Sequence, residues 1–158
     1  MAEAKMARTR IIGIGHHDRG DDAVGRVVAA RLRAEAPPDV EVIETDGDAA
    51  QLLDLFDGVD GVIVIDAALS GNAPGSIHRL DVVFAPVPRP LFATSSHAVG
   101  LAESIELARV LGSLPKRCVV FAVEGERFDL GAPLSAPVAE AVARVVAGVL
   151  HEMRVEAG

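Results

Sequence analysis

GIGHHDRGDDAVG occupies residues 13–25 and separates a short apolar run, Ile11-Ile12, from an amphipathic helical pattern. The glycines permit a tight turn, and the turn carries three carboxylates and two imidazoles. So many acidic groups in one turn are unfavourable unless solvent or a cation compensates their charge. We interpret the stretch as a strand-loop-helix junction that forms part of a metal site.

Apolar runs that are typical of strands alternate with helical patterns along the chain. The run Val62-Ile63-Val64-Ile65 is unbroken and β-branched, which is typical of a central parallel strand covered on both faces. Short strands that alternate with helices predict an α/β fold, with a mainly parallel sheet between two helical layers. Without a linker or an internal repeat, we expect a single domain, residues 1–158. The predicted strands are 9–14, 40–44, 61–66, 76–80 and 116–123, and the predicted helices begin near residues 21, 48, 97 and 135, the last ending near His151. Asp21 and Asp22 lie where an N-cap and a first-turn acid of the first helix are expected. Apolar periodicity predicts the buried faces of the last two helices, which are Leu101, Ile105, Ala108 and Leu111 in the third and Val138, Val142, Val145, Val146 and Val149 in the fourth.

Composition narrows the classes of function. The net charge is −8 and there is no run of Lys or Arg, so nucleic acid and anionic membranes are disfavoured as partners. A single cysteine, Cys118, excludes an internal disulfide and suits a reducing compartment. We find neither a secretory signal nor an apolar run that could span a bilayer. The expected location is the cytoplasm.

Three candidate ligands meet at one edge of the predicted sheet. Asp22 follows the first strand, Asp66 ends the third, and His97 lies at the start of the third long helix. Strand-to-helix loops of a parallel sheet share one edge, and ligands bind there. Carboxylate and imidazole ligands suit nickel, zinc or manganese, and three ligands leave positions for water or a substrate group. The convergence of the three residues favours a metal site.

Each of the three residues also has an ordinary structural interpretation. Asp22 could interact with the helix dipole, Asp66 could form a turn at the strand end, and His97 could cap a helix or lie on the surface. These alternatives stay open for each residue taken alone.

Nucleotide binding and covalent hydrolysis are less well supported alternatives. Gly15 and Gly20 have the spacing of a phosphate-binding loop, but Asp21 and Asp22 follow where Lys and Ser or Thr are needed. The third glycine of a dinucleotide fingerprint is replaced by Asp18. No Gly-x-Ser-x-Gly elbow is present, and Cys118 lies inside an apolar strand, so a serine or cysteine nucleophile has little support.

Three motifs, in this order, resemble those of the maturation endopeptidases of nickel-iron hydrogenases. They are Gly13-Ile-Gly-x5-Asp21-Asp22-Ala-Val-Gly25, Val64-Ile65-Asp66-Ala67 and Ser96-His97-Ala-Val-Gly-Leu101. The resemblance extends from about Arg10 to His151. Where the family usually has Asn after the second glycine, this chain has His16, which could add a ligand.

The resemblance implies a three-layer sandwich of the phosphorylase/hydrolase-like type, with a twisted, mainly parallel five-stranded sheet. It implies an aspartic-type endopeptidase that removes a C-terminal extension from the hydrogenase large-subunit precursor after nickel insertion. The metal-contacting positions of the family correspond to Asp22, Asp66 and His97 here. Nickel would be carried by the substrate, although another divalent metal could occupy the same site. A carboxylate, Asp22 or Asp66, would serve as general base, and we expect a monomer. A non-hydrolytic nickel-binding chaperone remains the alternative.

Overall fold

The chain forms a three-layer α/β structure around one twisted sheet. A computed structural model describes residues 8–88 and 98–157. Within these residues there are five strands, four α-helices and one 3₁₀ helix, Gly20–Ala23. The strands are β1 (Thr9–Ile14), β2 (Glu41–Thr45), β3 (Gly61–Ala68), β4 (Ile77–Asp81) and β5 (Arg117–Glu124), and the α-helices are α1 (Val24–Glu35), α2 (Ala49–Phe56), α3 (Ala98–Leu111) and α4 (Ala136–Ala157).

The strand order is β2-β1-β3-β5-β4, and β4 is the one antiparallel strand among those described. The unbroken apolar run predicted for the centre lies in β3, whose eight residues are all buried between β1 and β5. The predicted α/β class and the mainly parallel sheet are therefore confirmed. A β-branched run suits this position because helices cover both faces of the strand.

Two hydrophobic cores fill the spaces on the two sides of the sheet. On one side, α2 and α3 contribute Leu52, Phe56, Leu101 and Ile105 to the first core. On the other side, α1 and α4 form the second core, and the predicted apolar stripe of α4 faces this core. The stripe is fully or almost fully buried and consists of Val138, Val142, Val145, Val146 and Val149. Alternate residues of each central strand enter opposite cores, as the period of two requires.

Three local predictions need correction. Helix α4 ends at Ala157, not near His151, because Glu152 is buried and forms ion pairs with Arg79 and Arg117 on the sheet. Leu111, predicted to continue the apolar pattern of α3, is 65% exposed because the helix ends there. Strand β3 runs two residues beyond Asp66 because its last residues keep pairing with β5.

Candidate functional site

The first turn of α1 lies directly against the carboxyl ends of β1 and β3. A Cβ added to Gly25 would lie 2.3 Å from the carbonyl oxygen of Ile14 and 2.4 Å from that of Ile65. Only glycine allows this close approach of a helix to two strands. The contact fixes the 3₁₀ helix, which precedes α1, at the edge of the sheet where ligands of such folds bind.

Asp22 lies within this 3₁₀ helix and is almost completely buried. Asp22 is 3% exposed, and its Oδ2 accepts a hydrogen bond from the amide of His16 (3.2 Å). Gly15 packs on the carbonyl of Asp22, since a Cβ at Gly15 would lie 2.0 Å from that oxygen. The glycine-rich loop, residues 15–20, therefore folds back onto Asp22.

Asp66 lies in β3, next to the strand end that contacts Gly25, and it is fully buried. Its Oδ1 accepts a hydrogen bond from the amide of Ala67 (2.8 Å). The expectation that Asp66 ends the strand is wrong, because β3 continues to Ala68. Asp66 nevertheless lies beyond the last paired residue of β3 on the β1 side, where Gly13 pairs with Ile65. Its position is thus at the edge reached by the 3₁₀ helix, which contacts β3.

Asp21 has a different environment from its neighbour. Its Oδ2 accepts hydrogen bonds from the amides of Glu126 (2.8 Å) and Arg127 (3.0 Å) and from the hydroxyl of Ser135 (2.9 Å), and its Oδ1 accepts from the Ser135 amide (2.7 Å). The prediction that Asp21 caps α1 is wrong, because its carboxylate instead joins the first loop to the segment between β5 and α4. Four donors identify Asp21 as a structural residue.

His97 lies outside the described residues. Helix α3 begins at the following residue, and its Gly100 approaches the loop after β2, where an added Cβ would lie 2.8 Å from the carbonyl oxygen of Gly47. The role of His97 as third ligand stays a prediction. Within the described ranges, 8–88 and 98–157, no group of three or more His, Cys, Asp or Glu side chains is arranged to hold a metal ion. His97 is not part of these ranges.

His16 is half-buried at the same edge, and its Nδ1 lies 3.9 Å from Oδ1 of Asp46. Its backbone amide contacts Asp22, as described above. The imidazole therefore lies beside a second carboxylate of the edge, while the suggestion that it adds a metal ligand stays a prediction.

A buried carboxylate that the motifs do not predict lies at the end of β5. Glu124 is fully buried and accepts hydrogen bonds from the hydroxyl and the amide of Ser70, while His78 Nε2 lies 3.2 Å from its Oε1. Burial raises the pKa of Glu124, but the donors at Ser70, His78 and Asn72 outweigh it and leave the pKa below its ordinary value. Glu124 thereby fixes the loop between β3 and β4. Sequence reasoning misses it because its partners are 46 to 54 positions away.

The remaining candidate nucleophile is inert. Cys118 is fully buried in β5, and burial, with a smaller contribution from Asp81, raises the pKa of its thiol to about 12. A thiol in this environment is protonated at neutral pH, which agrees with the interpretation of Cys118 as a core residue. No helix in the described part of the chain is long and apolar enough to cross a membrane.

Residues 26–152 match the family model described as hydrogenase maturation protease. This range contains positions 66 and 97 and begins after position 22. The hydrogenase 2 maturation protease of Escherichia coli is 31% identical over 159 residues, which cover 95% of this chain and 94% of the relative. The hydrogenase expression/formation protein HupD of Bradyrhizobium diazoefficiens is 33% identical over 142 residues, which cover 86% of this chain and 72% of the relative.

Two solved structures from E. coli have the same fold. The hydrogenase maturating endopeptidase HybD superimposes with a TM-score of 0.78 at 28% identity, and the match covers 93% of this chain and 92% of that one. The solution structure of an endopeptidase gives a TM-score of 0.82 at 26% identity, with the same coverage. The three-layer sandwich that the motifs imply is therefore confirmed.

Proposed function

Because the chain belongs to the hydrogenase maturation protease family and is therefore a peptidase, we propose that it removes the C-terminal extension of a hydrogenase large-subunit precursor. The precursor is recognised in its nickel-loaded form, and the nickel belongs to the substrate. The reaction takes place in the cytoplasm with the enzyme as a monomer, and neither nucleic acid nor a membrane is a partner.

The observation that carries the proposal is the burial of two carboxylates on neighbouring elements of one sheet edge. Asp22 is 3% exposed and Asp66 is not exposed. Burial of an ionised carboxylate is unfavourable unless hydrogen bonds or a cation compensate it. A pair of such groups at the ligand-binding edge of an α/β sheet is therefore typical of a functional site.

The two carboxylates and the imidazole of His97 would contact the nickel that the precursor carries. Oxygen and imidazole ligands suit a borderline divalent ion of this kind. The nickel would polarise the scissile carbonyl or a water molecule, and Asp22 or Asp66 would accept the proton of the attacking water. The hydrolysis would thus be of the aspartic type, since carboxylates and a metal-activated water replace a serine or cysteine nucleophile.

Incubation with matched precursors tests the proposal. We expect the purified protein to shorten a nickel-loaded large-subunit precursor and to leave the nickel-free precursor intact, as measured by intact-protein mass spectrometry. Shortening of both forms would contradict nickel recognition. Nickel-dependent binding without shortening would contradict hydrolysis and would favour a metal-binding chaperone. Size-exclusion chromatography with light scattering tests whether the protein is a monomer.

A further inference from the structure

We propose that Arg26 is a positioning residue that holds the glycine-rich loop so that Asp22 meets the substrate in a fixed geometry. This inference rests on the proposed function of the same edge. Arg26 lies on α1, one residue after the glycine that contacts β1 and β3, and it belongs to none of the motifs that carry the family resemblance.

The guanidinium of Arg26 joins two loops of the edge. Its Nε donates to the carbonyl of Gly15 (2.5 Å), and one terminal nitrogen donates to Oδ1 of Asp46 (2.7 Å). The Arg26 side chain is only 15% exposed, and charged groups lie around it. A planar fork can donate to a carbonyl and a carboxylate at the same time, which the single ammonium of lysine cannot reproduce.

The hydrogen bond from Arg26 to Gly15 is connected to Asp22 through the next residue, His16. The Gly15 amide donates to the carbonyl of Thr45 (3.0 Å), so this glycine is held by β2 on one side and by Arg26 on the other. The next amide, that of His16, donates to Asp22 Oδ2. The orientation of this amide depends on the Gly15–His16 peptide, whose carbonyl Arg26 holds. Arg26 therefore determines how the loop amide meets the carboxylate.

Arg26 also offsets the negative charge of carboxylates at this edge of the sheet. Its other terminal nitrogen lies 3.7 Å from Oε1 of Glu44 and 3.4 Å from Nε2 of His17. Two carboxylates, of Glu44 and Asp46, thus share one cation. Their pairing with Arg26 lowers their ability to compete with Asp22 for a metal ion on the substrate.

Asp46, the second partner of Arg26, connects this network to α3. It precedes Gly47, whose carbonyl lies against Gly100 in the first turn of α3. Arg26 thus holds both the glycine-rich loop and the loop between β2 and α2, against which the first turn of α3 packs.

Arg33 provides a matched control on the same helix. Its guanidinium also pairs with Glu44, but it lies two turns further along α1 and makes no contact with the glycine-rich loop. The variant Arg33→Gln removes the same charge from the same carboxylate. A difference between Arg26→Gln and Arg33→Gln therefore reports the contacts to Gly15 and Asp46.

We expect Arg26→Gln to lower kcat for the nickel-loaded precursor by roughly 10- to 100-fold with KM changed by less than about threefold, because a displaced catalytic group costs rate more than binding. The kcat of Arg26→Lys should lie between those of Arg26→Gln and the wild type. The kcat of Arg33→Gln should stay within about twofold of the wild-type value. Thermal unfolding verifies that each variant is folded, and Arg26→Lys is the test if Arg26→Gln does not fold.

A second measurement does not depend on activity. In Arg26→Gln or Arg26→Lys, we expect hydrogen exchange of the His16 amide to accelerate by about tenfold, with amides of β3 unchanged. His16 exchange equal to that of Arg33→Gln would overturn the inference, as would equal kcat values for the two glutamine variants. A wild-type protein that does not cleave the precursor would contradict the proposed function, while the exchange measurement would still decide the role of Arg26.

Discussion

Two adjacent aspartates of the same loop have separate roles. Asp21 accepts four hydrogen bonds from the segment between β5 and α4, so its carboxylate is fully used in holding the loop. Asp22 and Asp66 instead lie where the 3₁₀ helix meets β3. In this motif, Asp21 holds the loop and Asp22 is the candidate functional residue. Substitutions at the two positions therefore test different properties, the stability of the loop at Asp21 and catalysis at Asp22.

Asp66→Asn tests the catalytic assignment at this scale. Asparagine keeps the shape of the side chain but cannot accept a proton from water, so we expect cleavage of the nickel-loaded precursor to slow by at least about 100-fold. Product formation is followed by mass spectrometry, and circular dichroism verifies the fold.

Asp18→Asn is the control for this change. Asp18 is an exposed acid of the glycine-rich loop, so its substitution makes the same change of charge near the site without touching the buried carboxylates. We expect wild-type cleavage from it. An Asp66→Asn protein that cleaves as fast as Asp18→Asn would show that Asp66 has no catalytic role.

At the scale of elements, the site depends on how closely α1 approaches the sheet. The packing of Gly25 on the carbonyls of Ile14 and Ile65 brings the 3₁₀ helix to the strand ends. Helices normally pack on sheets through side chains, and here backbone meets backbone. The spacing of glycines in the sequence indicates a tight turn, but the contact itself requires the three-dimensional structure.

Gly25→Ala is expected to destabilise the protein by about 3 kcal/mol or more, because the new methyl group would meet two backbone oxygens that cannot move independently. Gly148→Ala in α4 is the control, since its Cβ would contact the ring of Phe121 at 3.0 Å and that ring can adjust. The gain in helix propensity, about 1 kcal/mol, offsets that adjustment. Urea denaturation measures both, and equal stabilities would contradict the argument.

The loop between β3 and β4 should respond to acid through Glu124. Its pKa is lower in the folded protein than the ordinary value of 4.5, so its contribution to stability is present above that value and is lost as the pH falls through the folded pKa. We expect the free energy of unfolding to fall more steeply from about pH 6 to about pH 3 in the wild type than in Glu124→Gln.

Glu126→Gln is the matched control for this titration. Glu126 is an exposed residue two positions after Glu124. The wild-type slope is expected for this variant. A Glu124→Gln protein with the wild-type slope would mean that the Ser70 and His78 contacts do not stabilise the carboxylate.

At the scale of the whole molecule, the buried position of Cys118 makes it a reporter of global unfolding. Its thiol is inaccessible and its pKa is raised to about 12, so we expect a thiol-specific reagent at about pH 8 to react only after unfolding. Labelling rates in increasing urea should follow the unfolding transition measured by circular dichroism. Rapid labelling of the native protein would contradict the burial of β5.

Much of the architecture can be predicted from the sequence because it depends on local periodicity. The β-branched run of β3 predicts a central strand, and the valine stripe of α4 predicts its inward face. The family resemblance, which depends on three short motifs in order, is confirmed by the family model and by the relatives. Asp22 and Asp66 are brought to the same edge because the topology of a parallel sheet requires it.

The remaining features depend on partners that are distant in the chain. The last turns of α4 follow from the ion pairs of Glu152 with Arg79 and Arg117, 73 and 35 positions away. The contact of Arg26 with Gly15 requires knowledge of the loop backbone. Such pairings have no periodic signal, so a single sequence does not predict them.

The hydrogen bonds of Asp21 have a consequence for biosynthesis. Its partners lie 105 to 114 positions later, so the N-terminal loop cannot close until residues 126–135 have left the ribosomal tunnel. At roughly 5–20 residues per second, a nascent chain reaches these residues about 5 to 20 s after it has made the loop. The peptidase thus becomes competent only after residues 126–135 have been made, and we expect a chain that is terminated before them to be inactive however much of the sheet it contains.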